Sequence, residues 1–205
     1  MLAIFLKTLP FFAVIGLGFA AGRMRFFTTE ATVYLTKFVF YFALSAMLFG
    51  FAANLDLSAV FSWAFVWAYF LASSLVWALV AAVALLRGAG PEEAVFEAHT
   101  GVIGNVGFLG IPMLTLLLGK AAVGPVLLVL AVDLIVFSSV LTIVITGVRE
   151  GRMSLGIFRI LAVGLLKNPM IVSVSLGLAW GATGWKLPVP VNEFMTLLGA
   201  AATPC

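Results

Sequence analysis

The sequence predicts an all-α polytopic membrane protein, and three observations carry that prediction. Hydrophobic residues make up 64% of the 205 residues and charged ones only 9%, too little to cover a soluble domain of this length. Apolar runs long enough to cross a bilayer recur along the chain. The basic residues sit at the ends of those runs, as membrane topology requires, and form no aromatic-interleaved patch of the kind that binds nucleic acid.

Taken in order, the apolar runs define six spans and the start of a seventh: 3–22, 33–53, 58–86, 94–118, 121–148 and 164–182, then 190 onward. The first is followed by Arg23 and Arg25 without a small-residue cleavage pattern, so it reads as a retained span, a signal peptide being the weaker alternative. The runs 58–86, 94–118 and 121–148 exceed the roughly 20 residues a bilayer needs, which predicts tilt or internal breaks. Turn signals separate the spans: RGAGPEE at 87–93, GKAAVGP at 119–125, GVREGRMSLG at 147–156 and WKLPVP at 185–190. The connections after spans one, three and five hold Arg23, Arg25, Arg87, Arg149, Arg152, Arg159 and Lys167. The opposite side holds Lys7, Lys120 and Lys186, and this asymmetry predicts an N-terminus outside a cell membrane. The final segment, VNEFMTLLGAAATPC, stops in apolar residues without a polar cap, so a truncated chain is expected. Cys205 is the single cysteine, which leaves no disulfide framework within the chain and no cysteine-based metal cluster.

Span four carries the chemistry. In GVIGNVGFLGIPMLTLLLG (101–119), glycines at 101, 104, 107 and 110 weaken a helix, and Pro112 removes a donor and clashes with the preceding turn. A backbone broken at membrane depth must be buried in protein or line a wet cavity. Its loose ends offer N–H and C=O groups, and the start of the second half-helix favours an anion. Asn105 adds an amide that both donates and accepts. The residues expected at a substrate site are therefore Gly104, Asn105, Gly107, Gly110 and Pro112. The competing reading makes the four glycines a small-residue face for helix packing, with Pro112 a simple kink.

Other ionisable groups need their own readings. Asp133 lies within an apolar run, where insertion costs about 2.5–3.5 kcal/mol and an acid faces an interior or a cavity. It is expected to couple transport to an ion or proton, the alternative being a structural acid bonded to nearby hydroxyls. Lys37, near the start of span two, is expected to snorkel to the cytoplasmic interface, the alternative being a contact to substrate. Glu97 and His99 precede the broken span on its cytoplasmic side and are expected in a solvated loop, the alternative being that His99 titrates near neutral pH and gates proton coupling. The basic run Arg149–Lys167 sets topology and touches anionic lipid. No nucleophile–base pair, phosphate loop or metal-ligand spacing is present, so no enzyme, cofactor or metal is predicted.

A faint internal repeat adds to this. PFFAVIGLGFAAG (Pro10–Gly22) and PMIVSVSLGLAWG (Pro169–Gly181) share 5 of 13 residues without gaps, and a lysine precedes the proline in each. Five spans separate the two starts, so the second copy enters from the opposite side, as in the inverted repeats of secondary transporters.

The sequence resembles the auxin efflux carrier family, which includes plant auxin exporters and bacterial malonate-type carriers. The resemblance rests on GNVGFLGIP (104–112), LLLGK (116–120), KNP (167–169) and LLGAAATP (197–204). It implies ten spans in two inverted five-span repeats, with broken crossover helices in the fourth and ninth. On that pattern 1–148 is the first repeat, 149–163 a cytoplasmic basic connection, and 164–205 the start of an incomplete second repeat, the ninth span being absent. Asn105, Gly110 and Pro112 then fall on the crossover. One departure is Ser45, where related sequences often place proline. The resemblance implies a secondary carrier moving a small organic anion, such as malonate, by alternating access. Its coupling ion, proton or sodium, and its assembly as a homodimer stay open. Two alternatives are a sodium-coupled bile-acid-type symporter and a non-transporting structural or sensory subunit.

Overall fold

The computed structural model of the chain describes residues 2–56, 61–150 and 156–205, and every regular element among them is helical. The helices are α1 (Leu2–Arg23), α2 (Thr29–Ala53), α3 (Trp63–Leu86), α4 (Pro91–Val102), α5 (Ile111–Leu118), α6 (Lys120–Arg149), α7 (Gly156–Lys167), α8 (Pro169–Ala182) and α9 (Val189–Ala200). Five stretches are long and apolar enough to cross a membrane, α4 and α5 counting as one stretch over Pro91–Leu118. A sixth is formed if α7 and α8, bent by 68° at Asn168, are taken together. The chain is an integral membrane protein, and its many exposed Phe, Leu and Trp side chains are the surface such a protein turns to lipid.

The starts and stops follow local chemistry. Thr28 caps α2 by accepting from the Ala31 N–H at 3.1 Å, and Ser62 caps α3 by accepting from Phe65 N–H at 3.3 Å. Pro91 and Pro169 occupy first-turn positions, where a missing N–H costs nothing. Asn168 caps α8 through Met170 N–H at 2.9 Å, so the KNP motif is a helix start. Span six was expected to begin at 164, yet helix begins at Gly156 and breaks at Asn168, because the proline that opens α8 cannot continue α7. Arg152, one of the side-marking cations, lies outside the described residues, as does the start of span three at 58–60. The turn expected over 119–125 narrows to Gly119, whose φ of +80° is open to glycine, and helix resumes at Lys120. Pro125 then falls near the start of α6 and does not break it.

The long spans differ in how they deviate. α3 runs 24 residues without interruption. Wider π turns interrupt α2 at Val39–Ala43 and α6 at Asp133–Phe137, and a third precedes α5 at Val106–Gly110. The turns in α2 and α6 each share a carbonyl with a nearby hydroxyl: Ser45 Oγ donates to Phe40 O at 3.2 Å, and Ser138 Oγ donates to Asp133 O at 3.1 Å. Ser45 thus supports a widened turn inside a continuous helix.

Packing is closest where glycine removes the side chain. α2 packs on α8 and α9, while α3, α4 and α6 pack together. A Cβ on Gly177 of α8 would lie 2.7 Å from both Phe49 O and Ala52 Cβ of α2. One on Gly199 of α9 would lie 2.9 Å from Met47 Cα. Between these groups a core of Leu44, Leu48, Ile111, Val126, Leu130 and Met170 joins α2, α5, α6 and α8. At one end, Arg87 of α3 pairs with Glu97 of α4 at 2.6 Å, and Arg149 of α6 pairs with Glu92 of α4. Glu97 and His99 therefore belong to a packed helix and not to a solvated loop, because Pro91 starts α4 eight residues before the histidine.

Gly177→Ala should lower thermal stability in micelles by an amount worth about 1–3 kcal/mol, since backbone atoms of α2 must move. Gly16→Ala, whose Cβ would meet nothing within 4 Å, should be neutral or slightly stabilising in the same melt.

Candidate functional site

Span four is broken where the glycine-rich stretch places the break. α4 ends at Val102, with Ile103 extended at φ −83°, ψ 113°. Asn105 has φ −79°, ψ 65°, and Val106 N–H donates to Gly104 O at 2.9 Å, which makes an inverse γ-turn centred on the asparagine. Asn105 Oδ1 then accepts from Phe108 N–H at 3.1 Å and caps the second half. Its own carbonyl accepts from both Leu109 and Gly110 N–H. That leaves the asparagine NH2 and the N–H groups of Gly104 and Asn105 without a partner among the described residues. Gly104 and Asn105 are exposed, so these donors are presented outward. The π turn at Val106–Gly110 widens the backbone just ahead of Pro112, whose ring would crowd the Phe108 carbonyl of a regular helix.

The four glycines do not make one face, since the break turns them apart. A Cβ on Gly101 would sit 3.1 Å from Val80 of α3, and one on Gly107 would sit 2.9 Å from Met170 of α8. Gly104 has nothing within 4 Å, and the nearest neighbours of Gly110 belong to its own turn. Packing thus accounts for Gly101 and Gly107, and leaves Gly104 beside Asn105 at an open surface. Gly107 is buried, while Gly110 and Pro112 are partly buried.

Asp133 opens the π turn of α6 and is 2% exposed. Its Oδ1 accepts from the Tyr69 hydroxyl of α3 at 2.7 Å, whereas Oδ2 is buried without a partner. Ser73, also buried, lies one turn along α3 from Tyr69. Tyr69 is 64 positions away in sequence, a separation at which no spacing rule could have found it. No hydrogen bond joins Asp133 to the Gly104–Pro112 break among the described residues. Lys37 stands 5.5 Å over the Tyr34 ring, in a recess with Thr29, Thr32 and Thr36. His99 Nδ1 is buried and unpartnered.

A cavity of about 590 Å³ opens at the end of the bundle opposite the Arg–Glu pairs. It is lined by Asn54 of the α2 terminus, Thr115 of α5, Lys120, and Asn192 and Thr196 of α9, over an apolar floor. Sequence reasoning used Lys120 to mark a side and as the end of the LLLGK stretch, and left the two asparagines unread. Among the described residues no cluster of three His, Cys, Asp or Glu could hold a metal.

The family described as "Membrane transport protein" matches residues 3–205. Among curated proteins, one described as "Putative malonate transporter" from Rhizobium meliloti (strain 1021) is 28% identical over 203 residues. That alignment takes in 96% of this chain but 62% of the relative, so the chain spans about three-fifths of the relative's length.

Tyr69→Phe removes the partner of Asp133 Oδ1 and leaves both carboxyl oxygens buried and bare, a loss of about 1–3 kcal/mol in unfolding stability. The double variant Tyr69→Phe, Asp133→Leu should recover much of that loss in the same unfolding assay, since neither position then carries a buried polar group without a partner.

Proposed function

The chain belongs to the membrane transport protein family, and from that premise we propose that it is a secondary carrier of a small organic anion such as malonate. The single observation that supports this most is the break at Gly104–Asn105. It presents three amide donor groups at the head of a half-helix, inside a stretch otherwise apolar enough to cross a membrane. Such donors suit a carboxylate, whose oxygens accept what the broken backbone cannot pair. The relative's description names malonate for that protein, and carrying it here is part of the proposal.

In this reading the chain lies in the cell membrane with its N-terminus outside, in the order of two inverted five-span repeats. Residues 1–148 form the first, 149–163 the cytoplasmic connection, and 164–205 the start of the second. Substrate meets Asn105 and the backbone of Gly104, while Gly107, Gly110 and Pro112 shape the break. Alternating access exposes that site to either side. Asp133, held by Tyr69 and with one bare oxygen, is the site at which a proton or sodium ion is coupled.

Two measurements in proteoliposomes test this. Asn105→Ala should lower carboxylate exchange at least tenfold, the equivalent of about 1.4 kcal/mol of lost binding. Exchange at the wild-type rate would overturn the proposed site. Asp133→Asn should abolish uptake driven by an ion gradient yet leave substrate counterflow in place, whereas intact gradient-driven uptake would remove Asp133 from the coupling role.

A further inference from the structure

We propose that the cavity at the α2–α5–α9 end is a second carboxylate-binding site, separate from the break at Asn105 and centred on Lys120. The inference rests on the organic-anion reading above for the identity of its ligand, but its geometry stands apart. Four observations converge on it. The cavity, about 590 Å³, falls in the size range of small-molecule sites. Lys120 lines it and has no hydrogen-bond or ion-pair partner among the described residues, and no acidic side chain lines it with the lysine. Glu193, next in sequence to Asn192, lines a different recess.

The remaining polar groups are set up as donors. Asn54 Nδ2 donates to Gly50 O at 2.7 Å and to Asn192 Oδ1 at 3.2 Å, so both of its amide hydrogens are engaged. Because the Asn192 carbonyl oxygen is held by that bond, its NH2 is the part left over, with two hydrogens to give. Thr115 Oγ1 is buried and has no partner, an unusual state for a hydroxyl that could bond back to its own helix. A bound carboxylate would accept from Lys120, Asn192 and Thr115 together, leaving its organic portion against Met47, Phe51 and Met195. The break supplies neutral donors and this recess a formal cation, so the recess gathers anion at one mouth of the bundle before it reaches Asn105.

The test uses the full chain in detergent and in liposomes, with Cys205→Ser as background and Thr196→Cys as a reporter on the cavity wall. Labelling by a membrane-impermeant maleimide is timed with sodium butyrate, disodium malonate, or sodium chloride at matched ionic strength. Either carboxylate should slow labelling by 1 + [L]/Kd, about tenfold at nine times Kd, while chloride should not. Adding Lys120→Gln should abolish the protection, Lys120→Arg should keep it, and Thr115→Val should weaken it severalfold. Asn105→Ala should leave it intact while lowering flux. Protection that survives Lys120→Gln, or no protection in a protein that still exchanges carboxylate, overturns this site and spares the carrier reading. Neither protection nor exchange with any carboxylate overturns both. Should Lys120→Gln fail to elute as a folded protein, the Thr115→Val series decides on the same criterion.

Discussion

Backbone hydrogen bonding away from water is the interaction on which the rest of this structure depends. Where lipid surrounds a chain, each N–H and C=O must find its partner within the protein, and an unbroken helix meets that demand at every residue. α3 meets it for 24 residues. α2 and α6 depart from it by one π turn each, and each departure is attended by a serine hydroxyl bonded to a carbonyl of the widened turn. Among the described residues, the break leaves the Gly104 and Asn105 N–H groups unpaired within a stretch long and apolar enough to cross a membrane. Its cost is tolerable beside water, substrate or more protein, and intolerable against acyl chains. This is why the break commands functional interest while the π turns have local explanations.

Close approach of helices is the second organising factor. α8 and α9 reach α2 because Gly177 and Gly199 offer no side chain, and the clearances leave no room for one. Without water to drive apolar surfaces together, contact of this kind carries much of the association energy between spans. The same closeness positions Met170 of α8 over Gly107, so the bundle presses on the break from one side. The exposed Arg87–Glu97 and Arg149–Glu92 pairs add little energy individually, but they tie the ends of α3 and α6 to the start of α4. α4 is therefore tied by ion pairs in its first two turns and packed against Val80 of α3 through Gly101 in its last.

Much of the architecture was legible in the residues. The apolar runs located the spans because a bilayer imposes a length and a composition on each one. Gly101, Gly104, Gly107, Gly110 and Pro112 located the break because glycine and proline disfavour a helix interior wherever they stand. Where the reading failed, it failed for identifiable reasons. Span six bends at Asn168 because the proline that opens α8 also ends α7, and hydropathy alone does not register a change of direction. Glu97 and His99 looked like loop residues because polarity was weighed above the Pro91 start signal. Gly119 ended a helix alone, where a seven-residue turn had been expected.

The sequence by itself determined that the chain lies in a membrane, roughly how often it crosses, and which span is interrupted, since each of these follows from local composition. It also placed an acid at 133 and a lysine at 120. Only the tertiary structure decided what those two groups meet. Tyr69 reaches Asp133 from a span 64 residues away, and Lys120 shares a cavity with Asn54 and Asn192 on helices far apart in the chain. Partnerships of that kind depend on how helices cross, and crossing is set by glycine clearances and buried side chains that no linear spacing encodes.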